Sequence, residues 1–325
     1  MLRYRLLGHT GLRVSEFALG TMRFDDPVET ERIIATFAEA GGNFLDTASA
    51  YGESEAILGQ VLRERDRFVL GTKYTLSRDV TDPNAAGNHR KNLVLSLEQS
   101  LRRLRTDYVD VYWVHVWDQH TPIEETMRAL DDVVRAGKAL AIGISDAPAW
   151  VVARANTIAQ NHDRTPFAAI QVPYSLLERG IERELLPMAE AFGLTVTAWS
   201  PLAGGALAAG SGRATTPRAL AAAAAVAEVA AGLGVPPEQV ALAWTRHRSR
   251  AVLPILGVRT ADQLSGNLAA AALRLPEDVV RVLEDAVPFD RGFPADFVAE
   301  CDAGPMVYGD AVDRLDVDDS GPRMR

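Results

Sequence analysis

The feature that most constrains this 325-residue chain is an alternation of short apolar runs with amphipathic stretches, unbroken from about residue 17 to residue 272. Runs at 17–20, 43–47, 68–72, 108–114, 139–144, 168–172, 194–198 and 251–255 read as strands, being short, apolar and followed by turn residues. After them come stretches with helical spacing at 29–40, 53–63, 90–104, from Thr121 onward, 149–160, 181–192, 217–231 and 261–272. In the third of these, Leu93, Leu97, Leu101 and Leu104 recur on one face. Asp26, Pro27 and Glu29 mark a helix start and Gly41–Gly42 its end, while Thr121-Pro122-Ile123-Glu124 has the form of a capping box. Eight parallel strands each followed by a helix predict an α/β chain folded as a (β/α)8 barrel. A doubly wound sheet would want a G-x-G-x-x-G turn after its first strand, and none is there.

Residues 1–287 are expected to form that barrel. An N-terminal hairpin is expected from 4–7 and 12–14 around Gly8-His9-Thr10-Gly11, with insertions near 239–247 and 277–286. From Pro288 apolar periodicity fades and Gly, Pro and Asp become frequent. Residues 288–325 therefore read as a tail, either a loop over the barrel mouth or a mobile end.

The net charge of −9 argues against a nucleic-acid partner, since no Lys/Arg run builds a basic face. The clusters Arg102–Arg103–Arg105 and Arg246–Arg248–Arg250 read as solvated helix ends. One cysteine, Cys301, rules out an internal disulfide framework, and no Cys/His spacing suits structural zinc. The acidic stretch 310–319 lacks the closing Glu of a calcium loop. With no signal-peptide pattern and no run suited to a bilayer, a soluble cytoplasmic protein without a membrane partner is expected. The oligomeric state is left open.

In such a barrel, functional groups gather at the C-terminal strand ends. Asp46 ends the second strand with Tyr51 in the loop beyond it, Lys73 follows the third and His115 the fourth. A phenol titrates near 10, so it is a poor acid at neutral pH unless its surroundings help. An ammonium lowers a tyrosine pKa, a carboxylate holds that ammonium charged, and an imidazole can orient a carbonyl. Together these groups can deliver a proton to an oxygen gaining negative charge, as hydride addition to a carbonyl requires. Each also has a plainer reading: a mouth salt bridge for Asp46 and Lys73, a loop anchor for Tyr51, a strand-end histidine for His115.

The sequence resembles the aldo-keto reductase family from about Tyr4 to Leu273. The resemblance is carried in order by Asp46-Thr-Ala-Ser-Ala-Tyr51-Gly-Glu-Ser-Glu55, Gly71-Thr-Lys73, Trp113-Val-His115 and Gly143-Ile-Ser145-Asp146. Gln171 with Tyr174, Trp199-Ser-Pro-Leu202 and Pro254-Ile-Leu-Gly-Val-Arg259 follow. It implies a catalytic tetrad of Asp46, Tyr51, Lys73 and His115, and a nicotinamide cofactor bound at the mouth without a Rossmann fold. Ser145 and Gln171 are implied to hold the carboxamide, Trp199 to stack on the ring, and Ser200, Pro201, Leu202 and Gly204 to line the pyrophosphate. Arg259 is implied to meet a 2′-phosphate, with Gln263 and Asn267 near the adenine; Gly20, Thr21, Met22, Asp46, Asp146, Ile255 and Gly257 complete the cofactor set. A guanidinium suits a phosphate dianion, which favours NADPH over NADH.

Two departures stand out. Asp146 occupies a position where many relatives have Asn, and it cannot donate to a carboxamide oxygen. No cation follows Trp199 before Arg213, so a looser phosphate belt is expected. Met22, Tyr51, His115, Trp117 and Tyr174 are candidate substrate contacts, hinting at an aryl or polycyclic group, while Trp113 and Trp244 read as core. The expected reaction is reversible reduction of a small-molecule aldehyde or ketone, with Tyr51 as general acid and no metal. The alternatives are an NADPH-binding sensor that keeps the fold with little turnover, and a metal-dependent barrel enzyme.

Overall fold

The computed structural model describes residues 1–314. An antiparallel hairpin, β1 (Tyr4–Leu6) and β2 (Arg13–Ser15), precedes eight parallel strands. These are β3 (Ala18–Gly20), β4 (Phe44–Asp46), β5 (Val69–Tyr74), β6 (Val109–Val114), β7 (Ala139–Ser145), β8 (Phe167–Pro173), β9 (Thr195–Trp199) and β10 (Val252–Gly257). Each pairs with the next, and β10 closes on β3, so the expected (β/α)8 barrel is the fold.

The helices are α1 (Pro27–Glu39), α2 (Ser54–Val61), α3 (Arg90–Leu104), α4 (Ile123–Arg135), α5 (Ala149–Asn161) and α6 (Leu185–Ala191). They continue as α7 (Pro217–Leu233), α8 (Pro237–His247), α9 (Ala261–Leu268), α10 (Glu277–Asp285), α11 (Ala295–Asp302) and α12 (Pro305–Tyr308). Asp26 caps α1 by accepting from the Val28 amide at 3.0 Å, with Pro27 at the first helical position. Among the described residues no single helix is long and apolar enough to cross a membrane.

Strand residues are buried on both faces, as parallel strands under a helical layer must be. Even so, the period of two sorts them. Ala18, Phe44, Val69, Val111, Trp113, Ala141, Ala169, Leu253 and Ile255 form one cluster inside the barrel, closed below by Leu7 and Val14 of the hairpin region. Their neighbours Leu19, Leu45, Leu70, Tyr112, Ile142, Ile170, Val196 and Leu256 face outward against the helices. Trp113 fills the interior where two glycines make room. A Cβ on Gly143 would fall 2.3 Å from its ring, and one on Gly71 would fall 2.8 Å from its Nε1. Below, the left-handed turn at Gly8 (φ +55°) presses on Ala168, whose carbonyl oxygen would lie 2.1 Å from a Cβ there.

Several local expectations change. Thr121 does not cap α4; its hydroxyl donates to Asp118 at 2.6 Å and Pro122 is the cap residue, because Asp118 is a stronger acceptor within reach. The stretch 181–192 splits into a 3-10 turn at Gly180–Glu182 and the shorter α6. Helix α8 is not an insertion. It packs on β10 and buries Val240, Leu242 and Trp244, whereas the alanine-rich α7 lies outside it against α8 and α10. Short alanine side chains give α7 little to bury, which suits the outer place. Arg246 is not solvated either: it is buried in an ion pair with Glu16. The described part of the tail carries α11 and α12 where a loop was expected. Arg183 donates to the Asp290 carbonyl at 2.9 Å and Arg218 to that of Pro288 at 3.0 Å, joining this segment to the barrel. The acidic stretch beyond residue 314 lies outside the described residues.

Candidate active site

Inward-facing positions near the C-terminal ends of the strands form a ring at the mouth. Going round, it holds Gly20, Asp46, Lys73, His115 just past β6, Ser145, Gln171, Trp199 and Gly257. The registers align this ring: Gly20 lies beside Asp46, Ser145 beside Gln171 and Gly257 beside Gly20. This polar ring lies immediately above the Trp113 layer, and below it the inward positions are mostly hydrocarbon, with Thr195 and Thr197 of β9 the polar exceptions.

Lys73 is wholly buried and directs its ammonium at three acceptors: Asp46 Oδ2 at 2.6 Å, the Thr47 carbonyl at 2.8 Å and, more weakly, the Tyr51 hydroxyl at 3.4 Å. The other oxygen of Asp46 accepts from Gln171 Nε2 at 3.0 Å. Tyr51 reaches the site from a loop fixed by Ser54, whose hydroxyl donates to the Thr21 carbonyl at 3.0 Å. That hydroxyl also sits 2.7 Å from Thr21 Oγ1 and 3.0 Å from Thr47 Oγ1. The Tyr51 and His115 rings meet edge to face, with centroids 5.7 Å apart. His115 is held by its backbone amide, which donates to the Tyr74 carbonyl at 3.1 Å and to Thr75 Oγ1 at 3.2 Å. The four residues of the expected tetrad therefore stand together.

Their protonation differs from the simplest sequence expectation. Burial raises the Tyr51 pKa above the ordinary phenol value and outweighs the opposing charge of Lys73. Tyr51 is thus a protonated phenol in neutral solution, not a phenolate. Burial, assisted by Lys73, lowers His115 to about 3, so its imidazole is neutral. Its Nδ1 is buried with no hydrogen-bond partner among the described residues, which leaves Nε2 as the nitrogen available to a ligand.

The rest of the ring presents donors, acceptors and an aromatic face. Trp199 is 38% exposed, and its Nε1 donates to Asp146 Oδ1 at 3.1 Å. Asp146 adopts a left-handed conformation (φ +47°). Burial raises its pKa, against the lowering pull of the Trp199 indole, the Ser145 hydroxyl and Lys73. Gln171 gives its Nε2 to Asp46 and keeps Oε1 as an acceptor.

Beyond β9, Ser200, Ala203, Gly204 and Gly205 all have positive φ, curling the chain after Pro201 and Leu202 into a tight turn. Ser200 Oγ accepts from the Gly204 amide at 2.8 Å. Arg213 folds back and donates to the Gly204 carbonyl at 2.6 Å, so a cation does reach this loop, from nine positions downstream. At the next strand end Arg259 is exposed, and Thr260 caps α9 by accepting from the Gln263 amide at 3.2 Å. Gln263 Oε1 accepts in turn from the Arg259 amide at 2.9 Å. Thr21, Ile255 and Asn267 are buried behind this surface.

Among the aromatic candidates, Met22 is exposed and Trp117 half-buried at the rim. Tyr174 is not a mouth residue. It is fully buried, donates to Glu182 Oε1 at 2.8 Å and packs on Trp244, because it lies past the end of β8 and turns into the helical layer. Beside Trp117 stands Trp150, missed in the sequence. Trp150 is exposed at the start of α5 and meets Trp117 edge to face at 5.5 Å. An exposed tryptophan opening the helix after a strand was the available signal. Arg213 lacked one, since nothing in the spacing shows that the loop doubles back.

Comparison with known proteins adds to this geometry. The family model described as the aldo/keto reductase family matches residues 16–287. Norsolorinic acid reductase stcV of Emericella nidulans is 41% identical over 320 residues, covering 89% of this chain and 82% of that protein. Norsolorinic acid reductase of Aspergillus flavus is 36% identical over 328 residues, covering 91% and 84%. The probable aryl-alcohol dehydrogenase AAD4 of Saccharomyces cerevisiae is 34% identical over 311 residues, covering 87% and 94%.

Proposed function

The chain belongs to the aldo/keto reductase family, and from that premise we propose that it reduces an aryl aldehyde or ketone with NADPH, Tyr51 delivering the proton. The observation that carries this is the buried Lys73 ammonium, held by Asp46 at 2.6 Å and directed at the hydroxyl of a protonated Tyr51. A bound nicotinamide would supply the hydride.

The residues present fit such a cofactor. The half-exposed Trp199 face offers a stacking surface, and Gln171 Oε1 and the Asp146 carboxylate are acceptors for a carboxamide amine. The curled loop at Ser200–Gly205 and Arg213 suit a pyrophosphate, and Arg259 suits a 2′-phosphate. Asp146 holds the Trp199 indole through Nε1, which gives this departure from the commoner Asn a positioning role.

Tyr51 donates its proton to the carbonyl oxygen as negative charge develops there. Lys73 stabilises the phenolate left behind, and Asp46 and the Thr47 carbonyl keep Lys73 in place. The neutral His115 orients the substrate oxygen through Nε2. Trp117, Trp150 and Met22 form an apolar rim suited to an aromatic ring, in keeping with relatives named for norsolorinic acid and aryl alcohols.

The test is oxidation of NADPH and of NADH with a panel of aryl, aliphatic and sugar carbonyls, for wild type and Arg259→Ala. A guanidinium–phosphate pair of about 1.5–3 kcal/mol predicts that the variant loses roughly tenfold to a hundredfold in NADPH affinity and little in NADH affinity. Equal losses for both cofactors would remove Arg259 from the 2′-phosphate, and turnover confined to sugars would remove the aryl assignment.

A further inference from the structure

The buried Nδ1 of His115 has no hydrogen-bond partner among the described residues. Where its Nε2 points therefore depends on the Tyr51 ring against it and on the backbone that carries it. That backbone is held by two side chains outside the tetrad, Thr75 just past β5 and Asn88 just before α3, both buried. Thr75 stands at φ +102°, a region that side chains branched at Cβ avoid. Such strain persists only where the surroundings over-determine it, and it gathers at functional sites.

Here the surroundings fix it from both ends. The Thr75 carbonyl accepts from the Gly87 amide at 2.8 Å. The Thr75 hydroxyl accepts from the His115 amide at 3.2 Å and donates to Asn88 Oδ1 at 2.7 Å. The other end of that carboxamide, Asn88 Nδ2, donates to the Val116 carbonyl at 3.2 Å. The main chain of Asn88 is tied as well: its amide donates to Asp118 Oδ2 at 3.1 Å, and its carbonyl accepts from the Tyr74 hydroxyl at 3.3 Å. One carboxamide thus brackets His115, reaching its amide through Thr75 and the following carbonyl directly.

We propose that Asn88 is a positioning residue for carbonyl reduction, locking the chain at 115–116 to the end of β5 so that His115 Nε2 and the Tyr51 hydroxyl meet the same substrate oxygen. This rests on the reductase reading above and adds to it a residue outside the reacting groups. Both ends of the carboxamide are needed. Oδ1 takes the Thr75 hydroxyl proton, which turns that oxygen's lone pair towards the His115 amide, while Nδ2 holds the Val116 carbonyl. An aspartate could accept but not donate, and would set a second carboxylate beside Asp118. The surfaces suited to the cofactor, at Trp199, Ser200–Gly205 and Arg259, follow β9 and β10, whereas Asn88 serves the ends of β5 and β6.

The test is a double-substitution cycle of Asn88→Ala with His115→Ala, with kcat, KM for an aryl carbonyl, NADPH affinity and Tm measured for each protein. Asn88→Ala alone should lower kcat roughly tenfold to a hundredfold, as a small misplacement of a reacting group does, with NADPH affinity changed by less than about threefold. In the His115→Ala protein the same change should cost less than about twofold in kcat while still lowering Tm, because the group it places is gone. Where Asn88→Ala does not fold, or His115→Ala turns over too slowly to read, Thr75→Val and Thr75→Ser take their place. The first removes the hydroxyl at nearly constant volume and should lose about as much kcat; the second keeps it and should stay within about threefold of wild type. Equal kcat losses with and without His115, an unchanged kcat in Asn88→Ala, or equal losses in Thr75→Val and Thr75→Ser would overturn the proposal. A wild type that reduces no carbonyl fails the reductase reading instead. The placement of His115 is then read from its ring proton–carbon NMR signal, assigned with His115→Ala. Asn88→Ala should shift or split that signal, and an unchanged one would overturn the proposal by itself.

Discussion

Lys73 has three protons to place in a buried site, and the barrel presents three acceptors: a carboxylate, a backbone carbonyl and a phenol. That arrangement sets the order of events at the residue scale. Asp46 and Thr47 take the two short bonds, so the ammonium is already neutralised and fixed before the proposed proton transfer from Tyr51. The charge then favours the phenolate as it forms, although burial keeps the resting phenol protonated. A pH prediction follows. The folded chain holds His115 neutral down to about pH 3, and Tyr51 titrates above its ordinary value. The rate of carbonyl reduction should therefore be flat from about pH 5 to about pH 9. A limb near 6.5 in kcat/KM would show instead that His115 titrates as an ordinary imidazole. The same shift bears on stability. The unfolded chain protonates His115 near 6.5 and the folded chain does not, so stability falls as pH drops from about 6.5 towards 3.

At the scale of elements, the site is the top storey of a column whose lower storeys are mostly hydrocarbon. Trp113 supports Lys73 and His115 from below, and its ring occupies space that Gly143 and Gly71 leave open. Gly143→Ala would place a methyl 2.3 Å from that ring, with backbone strands on either side preventing retreat. Denaturant unfolding should then show a loss of about 1–3 kcal/mol, the usual range for overpacking; unchanged stability would mean that the Trp113 ring yields to the added methyl.

The tetrad was readable in the sequence because Asp46, Lys73 and His115 close successive apolar runs, whereas Ser145 and Gln171 were legible only through the family resemblance. Contacts that depend on how a loop turns were not readable. Arg213 returns to Gly204 through a run of positive φ, and Tyr174 turns outward past the end of β8 to Glu182. The same limit hid the roles of α7 and α8, since periodicity reports that a helix is amphipathic and not what its apolar face meets.

For the whole molecule, Glu16 is the point where several parts are joined. Its carboxylate binds the Arg3 amide before the hairpin and Arg246 on α8, while Arg246 also donates to the Ala270 carbonyl after α9 at 3.2 Å. Glu16→Gln would leave Arg246 buried among like charges with no anion, and should destabilise the fold by about 3–5 kcal/mol. Equilibrium unfolding checks this, and a loss below about 1 kcal/mol would mean that water already solvates the pair. The arginine cluster around Glu16 could not be foreseen, because Arg3, Arg246 and Arg274 are brought together only by closure of the barrel.

Tyr51, set against Lys73 and Asp46, is the proposed proton donor for carbonyl reduction. Loss of NADPH absorbance with an aryl ketone, measured for wild type and Tyr51→Phe beside cofactor binding by quenching of tryptophan fluorescence, tests it most directly. The predicted result is a fall in kcat of roughly a hundredfold to ten-thousandfold with NADPH affinity nearly unchanged. Turnover retained in the variant, or lost together with cofactor binding, would contradict the role assigned to Tyr51.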